Sequence, residues 1–226
     1  MKKTMKASDK LTLPKAVLFD LDGTLVDSAP DLAAAINRVK ADCGLPPTPY
    51  ELLRRVASAG APGLIRTAFG IEKTNADYQG LADAFIAYYT DAIAVKSTLF
   101  DGIPELLDLL RAKNIRWGVV TNKRHQLTVP LLKKIGLHDA ACIISGDTTP
   151  HAKPHPEPVL EAAKQAGVRP QECWFLGDDL RDVQAGQAAG SLTVAVNWGY
   201  GTDTVSWQAD LVADTPWDIS SLIRQK

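Results

Sequence analysis

The chain has 226 residues, 46% hydrophobic and 23% charged, enough apolar material for one large domain or one domain carrying an insertion. Its 25 basic and 26 acidic residues leave a formal net charge of −1, which points to neither nucleic acid nor an anionic membrane as partner. No apolar run reaches the length of a membrane span, and the basic start MKKTMKASDK lacks the apolar segment that a signal peptide needs. Cys43, Cys142 and Cys173 are scattered without metal-ligand spacing and read as reduced, mostly buried thiols of a cytoplasmic protein.

The first element is the apolar run from Ala16 to Phe19, which ends abruptly in Asp20, Asp22 and Gly23. A buried strand running into two acids and a glycine sets carboxylates at the carboxyl edge of a sheet, where open α/β folds place their chemistry. Asp20 and Asp22 would share a face on a regular strand, but Gly23 lets the chain leave by Asp22. Two acids this close need a cation or a proton between them. Taken alone, the pair is also an ordinary strand-to-turn junction.

After Ser28 the period becomes helical. Leu32, Ile36, Val39 and Cys43 recur at three- and four-residue spacing until Gly44 and Pro46–Pro47 stop the helix. Residues 50–93 continue in that style, through Leu52–Leu53, Leu64–Ile65, Phe85 and Tyr88–Tyr89, with no strand-like run. Residues 30–94 are therefore expected as a small helical bundle inserted into an α/β core of residues 14–29 and 95–226. Within it SAGAPGL, residues 58–64, holds too many small residues for a helix interior and is expected as a loop. A plain inter-helix turn is the other reading of the same residues.

From Phe100 strands and helices alternate. Asp101–Gly102–Ile103–Pro104 opens a helix with leucines at 106, 107, 109 and 110. The run 116–120 is a strand ending in Thr121–Asn122–Lys123, and the helix through Leu127, Leu131 and Ile135 closes at Gly136. Residues 142–144 form a short strand, followed by the loop GDTTPHAKPHPEP and a helix over 159–166. The strand 173–176 ends in Gly177–Asp178–Asp179, then come a helix over 182–189, a strand over 192–196 and an edge strand over 210–213. The alternation predicts a doubly wound parallel sheet covered by helices on both faces.

In such a sheet Asp20, Asp22, Thr121, Asn122, Asp178 and Asp179 converge on one edge, with Lys153 in the loop after the third strand. Acids with open positions suit a hard cation, Mg²⁺ above all. A hydroxyl, an amide and an ammonium beside it make a receptor for a phosphoryl group. A phosphate monoester brings roughly −1.5 to −2 charges of its own, so the electrostatics require both Mg²⁺ and Lys153. Each piece also has a plainer reading. Thr121–Asn122 can cap the next helix, Lys153 can be a solvated loop charge, and Gly177–Asp178–Asp179 can be turn chemistry. The four histidines, 125, 138, 151 and 155, have no ligand-like spacing and read as surface or loop residues.

FDLDGTLVDS, TNK, KPHPEP and LGDDLRDVQAGQAAG, in that order, resemble the four motifs of the haloacid dehalogenase superfamily of phosphohydrolases. The resemblance spans nearly the whole chain, and the helical insertion is similar to that family's small α-helical cap. It implies that Asp20 is the nucleophile forming an aspartyl-phosphate, and that Asp22 protonates the leaving alkoxide and then activates water. It further implies that Thr121, with Asn122 nearby, binds phosphoryl oxygens and that Lys153 stabilises the developing charge. Asp20, Asp178 and the main-chain carbonyl of Asp22 are the implied Mg²⁺ ligands. Asp182 and Asp179 are implied as supporting acids, Asp179 through a metal-bound water. The dehalogenase and phosphonate-cleaving members lack an acid two positions after the nucleophile, so Asp22 implies a phosphatase.

Within the superfamily the string is most similar to bacterial phosphoglycolate phosphatases, whose close relatives act on N-acetylmuramic acid 6-phosphate. The resemblance thus implies a small phosphorylated metabolite, first 2-phosphoglycolate and alternatively the muramic ester or another sugar phosphate. A β-phosphoglucomutase-type mutase and a non-catalytic binding protein are further alternatives; a phospho-relay receiver is disfavoured by length and topology. The expected partner is no nucleic acid or membrane, and the expected state is a cytoplasmic monomer or homodimer. Selection among esters belongs to the cap. The candidates are Gly60 in the Ser58–Ala59–Gly60 loop and the arginines Arg54, Arg55 and Arg66, which otherwise read as helix-surface charges.

Overall fold

In a computed structural model, which describes residues 12–225, the run Ala16–Phe19 forms β1 with all four side chains buried. The N-terminal stretch on which the signal-peptide reading rests lies outside the described residues. β1 is buried on both faces because it is central. It pairs in parallel with β4 (Arg116–Val120) on one side and β6 (Cys173–Gly177) on the other. β5 (Ile143–Ile144) lies beyond β4, while β7 (Leu192–Val196) and β8 (Leu211–Ala213) continue past β6. The order β5-β4-β1-β6-β7-β8 is, counting these six strands along the chain, 3-2-1-4-5-6. That is a doubly wound sheet. Its topological switch point lies between β1 and β6, so the crevice there is where a ligand is expected.

Helices α5 (Ile103–Ala112), α6 (His125–Lys134), α7 (Glu157–Gln165) and α8 (Leu180–Ala189) make the crossovers. Alternation along β1 serves two cores. Val17 and Phe19 join a cluster that runs through Leu32 and Ile36 to Phe85 and Tyr89, while Ala16 and Leu18 pack with Val120, Ala162 and Phe175 on the other face.

Four helices, α1 (Ala29–Asp42), α2 (Tyr50–Arg54), α3 (Gly60–Phe69) and α4 (Tyr78–Asp91), lie in the chain between β2 (Val26–Asp27) and β3 (Thr98–Leu99). β2 and β3 pair antiparallel, Val26 opposite Leu99, so the chain leaves and re-enters the α/β layer through one two-stranded ribbon. Neither short strand has a pattern in the sequence.

One sequence reading needs correction, the reading of mostly buried thiols holds for two of the three cysteines, and one element is unforeseen. Residues 58–64 are not a loop: a 3-10 turn over Ala57–Ala59 passes directly into the first turn of α3. Their small side chains serve close packing, since a Cβ on Gly63 would stand 2.5 Å from that of Ala59 and 3.0 Å from the Val56 carbonyl oxygen. Gly60, at φ 60° and ψ −151°, supplies the break between turn and helix in a conformation open to glycine. Cys43 is exposed because α1 stops at Asp42, whereas Cys142 and Cys173 are buried; burial pushes their thiols up to about 12 and about 11. Finally, a helix unforeseen in the sequence, α9 (Pro216–Arg224), closes the described chain, entered through Pro216 with Asp218 accepting from the Thr215 N–H.

Candidate active site

Asp20 is the residue after β1 and Lys153 lies in the loop after β5, and the sheet brings them together. Lys153 Nζ is 2.8 Å from Asp20 Oδ1, 2.8 Å from the Val120 carbonyl oxygen and 2.7 Å from Asp182 Oδ1. This lysine is 5% exposed, which disposes of its reading as a solvated loop charge. Burial works against its charge, but Asp182 and Asp20 more than offset that and hold its pKa above the ordinary value. Asn122 fixes the lysine from behind. Its Nδ2 donates to the Lys153 carbonyl oxygen at 2.9 Å and its Oδ1 accepts from the Lys153 N–H at 3.0 Å. The Asn122 side chain is therefore committed to the Lys153 main chain. The main-chain N–H groups of Leu21, Asp22 and Asn122 donate to no acceptor among the described residues. Thr121, 3% exposed, stands at the end of β4 with its hydroxyl accepting from Lys123 N–H at 3.1 Å.

Asp178 follows β6 across the switch point and is fully buried. Its Oδ1 accepts from the Thr24 hydroxyl at 3.0 Å, and its Oδ2 accepts from the Ser58 hydroxyl and the Tyr200 N–H, both at 2.9 Å. Glycines let the chain wrap this carboxylate. A Cβ on Gly23, at φ +91°, would stand 2.1 Å from Asp178 Oδ2, and one on Gly199 2.3 Å from Asp178 Cβ. Asp20, Asp178 and Asp182 each offer a carboxylate oxygen within 4.8 Å of the others. Lys153 is the one cation paired with them among the described residues. Burial first, and the charge of Asp20 next, push Asp178 up to about 7; burial also raises Asp182 well above its ordinary value. Asp182 Oδ1 has no partner in hydrogen-bond geometry despite the nearby lysine. Three buried carboxylates against one ammonium form a donor set that fits a hard, oxygen-seeking divalent cation.

The side chain of Asp22 turns away from this cluster. It accepts a short hydrogen bond from the Ser28 hydroxyl and pairs with Lys123 Nζ at 2.9 and 3.1 Å. Any part it takes in holding a cation falls to its main-chain carbonyl. Lys123 is nearly buried and sits 4.5 Å from the centre of the Tyr89 ring. Burial opposes its charge; Asp22 overrides that and raises its pKa. The pairing of Lys123 with Asp22 is absent from the sequence reading, although the TNK string contains the residue. Asp179 is also outside the acid cluster. It caps α8 through Arg181 N–H and is held bidentately by the Arg181 guanidinium at 2.7 and 2.8 Å. Despite burial, Arg181 keeps it below the usual carboxylate range. That cap also explains why α8 starts at Leu180 and not at Asp182.

Two bonds tie the helical layer to this edge: Ser58 to Asp178, and Arg181 Nη2 donating to the Ser58 carbonyl oxygen at 2.9 Å. Between the layers lies a cavity of about 380 Å³, reached by Asp20, Asp22, Thr121, Asn122, Lys153 and Gly60. The three candidate arginines do not line it. Arg54 pairs with Asp27 at 2.7 Å and lies over the Tyr200 ring, Arg66 faces Glu72 at 3.8 Å, and Arg55 is exposed elsewhere. All four histidines are exposed, as expected. His151 and His155 nevertheless stack at 4.4 Å and meet Glu157, an arrangement their spacing does not announce.

An acid-rich sheet edge at the switch point, with a buried lysine and a covering helical layer, defines a hydrolase site of one type. Residues 14–190 match the model of the haloacid dehalogenase-like hydrolases, and the chain belongs to that family. It is an enzyme of the phosphatase kind. It is 38% identical over 213 residues to the N-acetylmuramic acid 6-phosphate phosphatase of Pseudomonas aeruginosa, covering 92% of this chain and 94% of that one. It is 42% identical over 207 residues to the phosphoglycolate phosphatase of Xylella fastidiosa, covering 90% of both. The crystal structure of a protein from Haemophilus somnus 129PT, described as a predicted phosphoglycolate phosphatase, superposes with a TM-score of 0.83. That protein is 30% identical, and the match covers 94% of this chain and 99% of the other. Among the described residues no helix is long and apolar enough to cross a membrane.

Proposed function

We propose that the chain is a Mg²⁺-dependent phosphomonoester hydrolase that works through an aspartyl-phosphate on Asp20 and acts on small phosphorylated carboxylic acids. The observation that carries this reading is Lys153 Nζ bridging Asp20 and Asp182 within a trio of buried carboxylates that opens on a cavity. A carboxylate oxygen of Asp20 attacks phosphorus, the bond from phosphorus to the substrate oxygen breaks, and Asp22 delivers a proton to the departing alkoxide. Asp22 then takes a proton from water, whose oxygen attacks the acyl phosphate, releasing phosphate and restoring Asp20. Thr121 and the unpartnered N–H groups of Leu21, Asp22 and Asn122 receive phosphoryl oxygens, and Lys153 offsets the charge between nucleophile and phosphate. Asp20, Asp178 and the Asp22 carbonyl would hold Mg²⁺, which would supply the remaining neutralisation that an anionic nucleophile needs to meet an anionic ester.

In this reading residues 14–29 and 95–226 are the catalytic core and residues 30–94 the cap that closes on substrate. The reaction takes place in the cytoplasm, where the free thiols are stable. The relatives' names supply two esters of the class, 2-phosphoglycolate and N-acetylmuramic acid 6-phosphate, and both carry a carboxylate. Asp20→Asn tests the mechanism. It is expected to abolish phosphate release from p-nitrophenyl phosphate while leaving the circular dichroism spectrum unchanged, and a wild-type rate from that variant would sink the aspartyl-phosphate.

A further inference from the structure

The cavity's charges are distributed unevenly. Four acids line it, Asp20, Asp22, Asp179 and Asp182, and each is paired with a lining cation: Lys153, Lys123 or Arg181. Two lining cations remain, Lys73 and Arg124, and neither has a carboxylate within ion-pair distance among the described residues. Depth separates them from the chemistry. Asp20, Thr121 and Lys153 are at most 6% exposed, whereas Lys73 and Arg124 are exposed and so stand at the mouth. Lys73 comes from the segment between α3 and α4, and Arg124 from the start of α6 on the opposite layer. Tyr78, at the head of α4, lines the same cavity as both cations.

The remaining wall is unsuited to a small, fully charged acid. Leu32, Ala82, Phe85, Ile86 and Leu127 give it apolar surface. A void of about 380 Å³ holds roughly a dozen waters, so a two-carbon acid seated on Asp20 would leave most of it wet. A sugar ring fills more of that volume and lays the apolar edges of its carbons on this wall.

We infer that Lys73 and Arg124 form a second anion subsite at the mouth, and that the preferred substrate is a sugar-sized phosphate monoester carrying a carboxylate remote from its phosphate. The inference rests on the phosphatase reading and names the substrate class for it. The arginines that the sequence offers for this task, Arg54 and Arg66, are engaged with Asp27 and Glu72 instead.

The test is phosphate release by wild type, Lys73→Met, Arg124→Met and Arg124→Lys on four esters. These are N-acetylmuramic acid 6-phosphate, N-acetylglucosamine 6-phosphate (the same sugar without the lactyl ether that bears the carboxylate), 2-phosphoglycolate and p-nitrophenyl phosphate. Wild type is expected to favour the carboxylated sugar over its carboxylate-free counterpart by roughly 10–100-fold in kcat/KM, the worth of a charged hydrogen bond. Each methionine variant lowers that ratio by roughly tenfold, through KM, and Arg124→Lys keeps most of it. A wild-type preference for 2-phosphoglycolate over the carboxylated sugar overturns the inference, as does a flat panel or a ratio that both methionine variants leave intact. In those cases hydrolysis of p-nitrophenyl phosphate shows that the phosphatase reading stands. If no ester turns over, p-nitrophenyl phosphate included, both fall.

Discussion

At the scale of single residues, the site depends on holding one ammonium at 2.8 Å from the nucleophile, and Asn122 does much of the holding. Truncation to Asn122→Ala removes both bonds to the Lys153 main chain and frees the loop that carries it. A displacement of about 1 Å at such a group costs on the order of 100-fold, so kcat is expected to fall by roughly 10–100-fold. Inhibition by inorganic phosphate tests that the side chain is committed to Lys153 and not to phosphate. If the side chain only positions Lys153, the inhibition constant stays within about twofold, since the change is far smaller than one lost charged hydrogen bond; if it binds phosphoryl oxygens, the constant rises in step with the loss of kcat. This division of labour was out of reach of the sequence. The order of acids, Thr121 and Lys153 at strand ends is visible in the string, because a parallel sheet collects those ends on one edge. Which way Asn122, Lys123 or Asp22 turns depends on partners more than a hundred positions away or across a loop, as with Lys123 and Asp22.

At the scale of elements, the helical layer joins the sheet through two crossings, and Asp31 binds them. This buried residue in the first turn of α1 accepts from Lys96 N–H at 2.9 Å, from Ser97 N–H at 2.9 Å and from the Ser97 hydroxyl at 2.6 Å. The outgoing helix thereby anchors the returning strand. Asp31→Ala leaves these donors without an acceptor, which costs about 2–3 kcal/mol, or roughly 4–12 °C in the midpoint of thermal unfolding for a chain of this size. Differential scanning calorimetry checks it, and a midpoint within about 1 °C of wild type would mean that water satisfies the donors. The long elements are legible because their periodicity is set by burial: β1 is apolar at every position since the sheet is covered on both faces. β2 and β3 are two residues each and have no period to read. The stretch 58–64 misleads for the opposite reason. Its glycines and alanines look like loop chemistry, but they are small so that a 3-10 turn can pack onto α3.

At the scale of the whole molecule, the fold places three buried carboxylates around one lysine, and this arrangement works against stability when no cation is present. Burial and the charge of Asp20 push Asp178 up to about 7, which is the sign of an ionised form held at a cost. Asp178→Asn removes that charge with little steric change. The amide oxygen can still accept from Tyr200 N–H and Ser58, while the amide nitrogen can donate to the Thr24 oxygen. The metal-free variant is therefore expected to melt about 2–8 °C above the metal-free wild type, equivalent to roughly 1–2 kcal/mol. Added Mg²⁺ should raise the midpoint of wild type and leave that of the variant in place, because only a state that binds the ion gains from it. Turnover should fall by more than about 100-fold, as when a group that stabilises transition-state charge is lost. Thermal scans with EDTA and with Mg²⁺ read all but the last. A variant that melts below wild type in EDTA would show that the hydrogen bonds to the carboxylate outweigh the repulsion around it, and that this edge is built for stability as well as for binding a cation.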